Sequence, residues 1–208
     1  MPWSDDHKQA TRERIVVAAA RAIREHGPDG VSVAAIMRSV GLTHGGFYAH
    51  FASKEALVSE ALLYAAAETL EYLEVTAARA TGQQQVGIVD LAEAYLSTVH
   101  LEHPEQGCVL AACGAELARA DDPVSGACSE SVHAFVRRLV QHSAAPQQRE
   151  RSREATGALA AMVGGMMLAR AVEDPAAARR ILADVRSFVR SALQAQTEAK
   201  TEAKTEAK

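Results

Sequence analysis

Apolar residues recur at every third or fourth position through nearly the whole chain, and no segment keeps the strict alternation of a half-buried strand. A chain with that single period folds by packing helices on helices. Composition narrows the packing further. Of 208 residues, 48% are hydrophobic but only 4% aromatic, so close approach through alanine replaces bulky ring packing. The expectation is an all-α protein of about nine helices, long enough for a small head and a larger body.

Punctuation residues divide the pattern. Gly27-Pro28 ends a first helix over residues 6–26, with Ile15, Ala18, Ala19, Ala22 and Ile23 as its expected buried face. Ser32 caps a second helix that buries Val33, Ile36, Met37 and Val40, and Gly41 stops it. Leu42 turns inward, Thr43 caps a third short helix reaching Phe51, and Ser53 caps a fourth that reads through to Arg79, with Gly82 as its stop. Single helices are expected over residues 84–101 and 104–120. Asp122-Pro123, Ala145-Pro146 and Asp174-Pro175 mark three more starts, because proline at a first helical position gives up an N–H that has no partner anyway. The chain ends in Thr-Glu-Ala-Lys three times over, a charge-balanced tail with no apolar face, read as a frayed and solvated helix extension.

Charge excludes a general nucleic-acid coat. There are 22 Lys and Arg against 26 Asp and Glu, a formal net charge of −4. Residues 1–57 hold 7 basic and 6 acidic side chains, while residues 58–208 hold 15 and 20. Any contact with phosphate is therefore local to the head. The N-terminus lacks a signal-peptide core, and no apolar run approaches the ~20 residues of a membrane span. Three irregularly spaced cysteines do not make a disulfide framework. These features predict a cytoplasmic protein with no membrane partner, cofactor or metal.

The chemistry sits in residues 32–51, which read helix, Gly41-Leu42 turn, helix, the spacing of a helix-turn-helix. In Thr43-His44-Gly45-Gly46-Phe47-Tyr48-Ala49-His50-Phe51, the two phenylalanines lie one turn apart and should anchor the third helix to the first. His44 and Tyr48, also one turn apart, lie on a different face and present hydrogen-bonding groups to solvent. Gly45-Gly46 is costly, about 1 kcal/mol per glycine relative to alanine, and close approach of the backbone to DNA would compensate. Lys54, the free N–H groups opening the fourth helix, and Ser32 are candidate phosphate holders. A helix–glycine–helix corner is also common in bundles that bind nothing.

The residues carry a resemblance. Thr11-Arg12-Glu13-Arg14-Ile15 with Ala18-Ala19, then Gly30-Val31-Ser32-Val33-Ala34-Ala35-Ile36, then Val40-Gly41-Leu42 running through Phe51 into Ala52-Ser53-Lys54-Glu55-Ala56-Leu57, together resemble the DNA-binding head of the tetracycline-repressor (TetR) family of bacterial regulators. The match spans residues 9–57, and capping residues, turn, aromatic pair, His and Lys fall in register. The resemblance implies a homodimeric repressor on a near-palindromic operator, released by a small-molecule inducer. It implies DNA contacts from Ser32, Thr43, His44, Gly46, Tyr48, His50 and Lys54, mostly at phosphates. Gly45 and Gly46 depart from it, since many members carry a side chain there. Direct base reading is then thin, and His44 and backbone fit carry more of the specificity. The implied division is a helix-turn-helix domain at 1–52, a ligand-binding and dimerisation domain at 53–196, and a low-complexity tail at 197–208.

In the body, Gly157, Ala161, Gly165 and Ala169 recur every four residues and align in one stripe that lets another helix approach. That helix belongs either to the same chain or to a partner. The family's four-helix dimer interface favours the partner, with Ile181, Leu182, Val185, Phe188, Val189 and Leu193 as the opposing surface. Candidate pocket residues are Tyr72, Tyr95, His100, Phe135, Met162 and Met166, each of which also suits an ordinary core. Cys108 follows closely on a helix start at Pro104, where unpaired N–H groups and the helix dipole favour thiolate; Glu105 opposes this. Cys108 is thus a candidate sensor thiol, Cys113 is expected to be inert, and Cys128 is a possible resolving partner. An all-helical enzyme is the competing reading. The sequence offers it no nucleophile elbow, phosphate loop, paired carboxylates or metal cluster, so no catalytic activity is expected.

Overall fold

A computed structural model describes the backbone of residues 5–206 and the side chains of residues 6–194. Among the described residues the chain is helical, with no strand and no helix long and apolar enough to cross a membrane. In order, the elements are α1 (Asp5–His26), α2 (Val33–Ser39), the 3-10 helix η1 (His44–Ala49), α3 (Lys54–Thr81), α4 (Ile88–Tyr95), α5 (Thr98–Glu102), the 3-10 helix η2 (Pro104–Gln106), α6 (Val109–Leu117), α7 (Val124–Gln141), α8 (Gln148–Ala171) and α9 (Pro175–Glu206).

Several helix ends follow the sequence signals: proline opens α9 at Pro175, whereas α7 begins at Val124, after Pro123, and α8 at Gln148, two residues past Pro146. Gly27, Gly41 and Gly82 all take positive φ, between 69° and 77°, at the ends of α1, α2 and α3. Ser32 Oγ accepts from the Ala35 N–H, Ser53 Oγ from the Ala56 N–H, and both carboxylate oxygens of Asp174 from the first turn of α9.

Two predicted helices are broken. The helix expected over 84–101 is two, α4 and α5, interrupted at Leu96-Ser97. The break is held by distant arginines: Arg186 donates to the Leu96 carbonyl at 2.6 Å and Arg170 to the His100 carbonyl at 2.7 Å. The helix expected over 104–120 is η2 followed by α6, with Gly107-Cys108 extended between them.

Contacts divide the chain into two units. The first holds residues 1–69 and 103–134, the second 70–102 and 135–208. The first is larger than the expected 1–52 head, because α1 packs not only on α2 but also on η2 and α6. Its core includes Ile15, Ala19, Ile23, Met37, Phe47, Leu57 and Leu62. The buried face of α1 is rotated from expectation: Val16 and Ala20 are buried, whereas Ala18 and Ala22 are half-buried. Arg24 is buried with them, its guanidinium bonded to Glu68 at 2.8 Å and to the Ala65 carbonyl at 3.0 Å. The second unit is built on α8 against α9, with α4 packed on both and α5 on α8. His142 braces it, its ring nitrogens 2.7 Å from Glu74 and 2.9 Å from the Val86 carbonyl. The backbone of α9 continues through the Thr-Glu-Ala-Lys repeats to Glu206, whose side chains lie outside the described residues.

Candidate nucleic-acid interface

The corner between α2 and η1 is closed by backbone hydrogen bonds. Gly41 N–H donates to the Arg38 carbonyl at 3.0 Å and Leu42 N–H to the Met37 carbonyl at 2.8 Å. With φ +77°, Gly41 takes a conformation that costs a side-chain-bearing residue about 1 kcal/mol or more. Arg14 of α1 donates to the carbonyl of Val40 at 2.7 Å, which ties the corner down.

The third element is a 3-10 helix of six residues, not the α-helix expected. Thr43 stands at its N-cap position with no side-chain capping bond, so its exposed hydroxyl is not spent on the helix. Phe47 and Phe51 are buried and stacked, ring centroids 5.7 Å apart. Arg12 of α1 covers Phe51, its guanidinium carbon 4.4 Å from the ring centroid, donates to the His50 carbonyl at 3.3 Å, and pairs with Glu60 of α3. One arginine therefore joins three elements at the far end of η1. Arg12 lies in the quoted head motif, where nothing in the sequence assigned it this role; a cation beside a buried aromatic was the available signal.

The anchored element holds one face outward. His44, Gly45, Tyr48 and Ala49 are exposed, Tyr48 at 69%, with Ser32, Arg38 and Thr43 also exposed. Gly46, His50 and Lys54 are half-buried. His50 Nδ1 is buried with no hydrogen-bond partner, and burial, reinforced by Lys8 and Arg12, holds its imidazole below the ordinary value. Lys54 Nζ donates to the Asp29 carbonyl at 3.3 Å. The start of α3 is less open than expected. Ser53 takes the Ala56 N–H, and the Glu55 carboxylate sits lower than usual because it accepts from its own N–H and from the Ser53 hydroxyl. An anion there meets a carboxylate as well as a helix dipole.

The expected pocket residues separate. Tyr95, Phe135, Met162 and Met166 are fully buried and His100 nearly so, but Tyr72 is 46% exposed on α3. Tyr95 on α4 meets His100 edge to face at 4.5 Å, and His100 Nδ1 donates to the Tyr95 carbonyl at 2.7 Å. Met162 and Met166 lie on α8, which packs against α4. An open groove of about 950 Å³ between α1 and α2 contains none of the six.

The small-residue stripe also divides. Gly165, Ala169 and Val189 are buried within their own chain, where Val185 covers Gly165, so these positions are not a free surface. Gly157 is exposed, Ala161 half-buried, and Phe188 is 66% exposed. The outward apolar side chains of α8 are instead Met167 and Leu168, the latter 60% exposed. Cys108 stands at the N-cap of α6, and its side chain is fully buried. Burial pushes the Cys113 thiol up to about 12, with Glu116, Cys108 and Cys128 adding to it. Among the described residues no cluster suited to a metal is present.

Residues 15–61 match the family of bacterial regulatory proteins described as the tetR family. No curated protein gives a significant match. Solved structures share the fold along most of the chain. A TetR-family transcriptional regulator from Cytophaga hutchinsonii superposes with TM-score 0.71 at 18% identity, covering 89% of this chain and 96% of that one. A TetR transcriptional regulator from Chloroflexus aurantiacus gives 0.67 at 28% identity, covering 88% and 96%. One from Legionella pneumophila gives 0.66 at 16% identity, covering 92% and 99%.

Proposed function

The chain belongs, through its N-terminal head, to the tetR family of bacterial regulatory proteins, and from that premise we propose a homodimeric repressor that a small molecule releases from a near-palindromic operator. The observation that carries the DNA-binding reading is Tyr48, 69% exposed beside the buried Phe47 and Phe51. An aromatic hydroxyl held outward on an anchored turn suits a phosphate or base edge. The proposed contact set is Ser32, Thr43, His44, Gly46, Tyr48, His50 and Lys54. Its members differ in readiness. Ser32, Thr43, His44 and Tyr48 are exposed, whereas Lys54 must exchange the Asp29 carbonyl for phosphate.

Homodimer formation is supported by exposed Leu168 and Phe188 on α8 and α9, with Gly157 and Ala161 as close-approach positions. Two heads on one palindrome gain avidity from that linkage. Release follows from differential affinity. An inducer that prefers the body conformation with wrongly spaced heads weakens operator binding by that preference, typically ~1–3 kcal/mol. Tyr95, His100, Met162 and Met166 are the buried groups nearest in character to a permissive apolar site. Such a repressor acts in the cytoplasm, where a bacterial chromosome lies.

The test is a gel shift with the DNA upstream of the protein's own gene. A saturable shift that survives excess random duplex supports the reading. A shift that random duplex abolishes leaves only non-specific binding and contradicts it.

A further inference from the structure

His50, the C-cap residue of η1, keeps its ring in a setting that opposes charge. Nδ1 is sealed from solvent with no hydrogen-bond partner among the described residues, which leaves Nε2 as the open side of the ring. Protonation would place an N–H on both nitrogens, one of them buried and unpaired, and that cost grows when the group is charged. The neutral ring avoids it. The charged groups facing the ring act in the same direction. Lys8 and Arg12, one turn apart on α1, both oppose a positive imidazole. On α3, the Glu60 carboxylate is taken by Arg12 and Lys54 is held on the Asp29 carbonyl. The other titratable groups of η1 are His44, at its opposite end, and Tyr48.

We propose that DNA binding by this head is proton-linked through His50: a phosphate charges the imidazole, and the complex tightens as pH falls. This rests on the DNA-binding reading above and adds a regulatory input to it. A phosphate at Nε2 favours the imidazolium by Coulomb attraction and by a charge-assisted hydrogen bond, and it offsets Lys8 and Arg12. In the free head, burial and those two cations hold the ring neutral near pH 6.5, so the proton enters with the DNA. The sign follows from linkage. The complex carries a proton that the free protein lacks, so acid favours the complex. Affinity rises about tenfold for each pH unit over which the bound ring is charged and the free ring is not, and it is level above that window.

The experiment uses the full chain and a duplex selected by the wild-type protein from a random pool. Affinity is measured at pH 8, 7 and 6 and constant ionic strength for wild type, His50→Gln and the control His26→Gln. Histidine is the side chain whose ordinary charge change falls in this range, and His26 is exposed at the end of α1, outside the proposed contact set. Wild type and His26→Gln should bind about five- to tenfold more tightly at pH 6 than at pH 8, and His50→Gln should lose the larger part of that gain. A second reading needs no variant: the heat of wild-type binding, measured near neutral pH in two buffers of different ionisation enthalpy, should report net proton uptake. An equal gain in His50→Gln, or no uptake by wild type, overturns the linkage and leaves the DNA-binding reading standing. If the wild-type protein selects no sequence from the pool, both fall.

Discussion

Val185 of α9 lies over Gly165 of α8 so closely that a Cβ on the glycine would stand 3.0 Å from Val185 Cγ1. The glycine therefore sets the spacing of two helices within one chain. Gly165→Leu should destabilise the fold by about 1–3 kcal/mol through overpacking, read as a lowered thermal midpoint. Leu168→Glu with Phe188→Glu, both on exposed positions, should instead leave the midpoint within a few degrees and convert dimer to monomer in sedimentation. A double variant that sediments as a dimer would move the interface off this face.

Arg12 concentrates three interactions: Phe51, the His50 carbonyl and Glu60. Arg12→Ala should lower the thermal midpoint by an amount equivalent to about 1–3 kcal/mol. Arg12→Lys should recover little of it, because a point charge cannot stack on the ring and reach the carbonyl together. Full recovery by lysine would reduce the role of Arg12 to its charge.

Acid should destabilise the head through His50. Its folded imidazole is held below the ordinary 6.5 by burial, then by Lys8 and Arg12. As pH falls through 6.5 the unfolded chain takes up the proton first, so stability drops from there down through the lowered folded value and is level above 6.5. His50→Gln removes this contribution. The difference in midpoint between wild type and variant should change between pH 7 and pH 5, and a constant difference would contradict it.

The three thiols should react slowly in the folded protein. Cys113 is raised to about 12 by burial, and Cys108 and Cys128 are buried beside it in the same unit. A thiol reagent at neutral pH should modify all three readily only after denaturant is added. Rapid modification of Cys108 in native protein would restore the sensor-thiol reading.

What the sequence disclosed follows from how local each cause is. Gly27, Gly41 and Gly82 were readable as helix stops because the constraint on φ lies in the residue itself. The start of α9 was readable for the same reason, since the constraint that suits proline to a first helical position lies in Pro175 itself. The break at Leu96-Ser97 was not, because the arginine that takes the Leu96 carbonyl lies 90 residues away while the apolar period runs on through the break. The face of α1 was misplaced because alanines at 18, 19, 20 and 22 give it small apolar residues on several sides. The head motif showed Phe47 inward and Tyr48 outward. That a stripe of small residues met its own chain at Gly165 was beyond reach, because spacing specifies close approach and not the partner.

The DNA-reading role of the His44 and Tyr48 face is tested most directly by titrating one upstream duplex with wild-type protein and Tyr48→Phe, each competed against random duplex. Wild type should prefer the upstream duplex by about 10³-fold or more. Loss of the hydroxyl should cost about 1 kcal/mol of that affinity, roughly fivefold, with the thermal midpoint unchanged. Equal binding of upstream and random duplex by the wild-type protein, or equal affinity of both proteins for the upstream duplex, would contradict it.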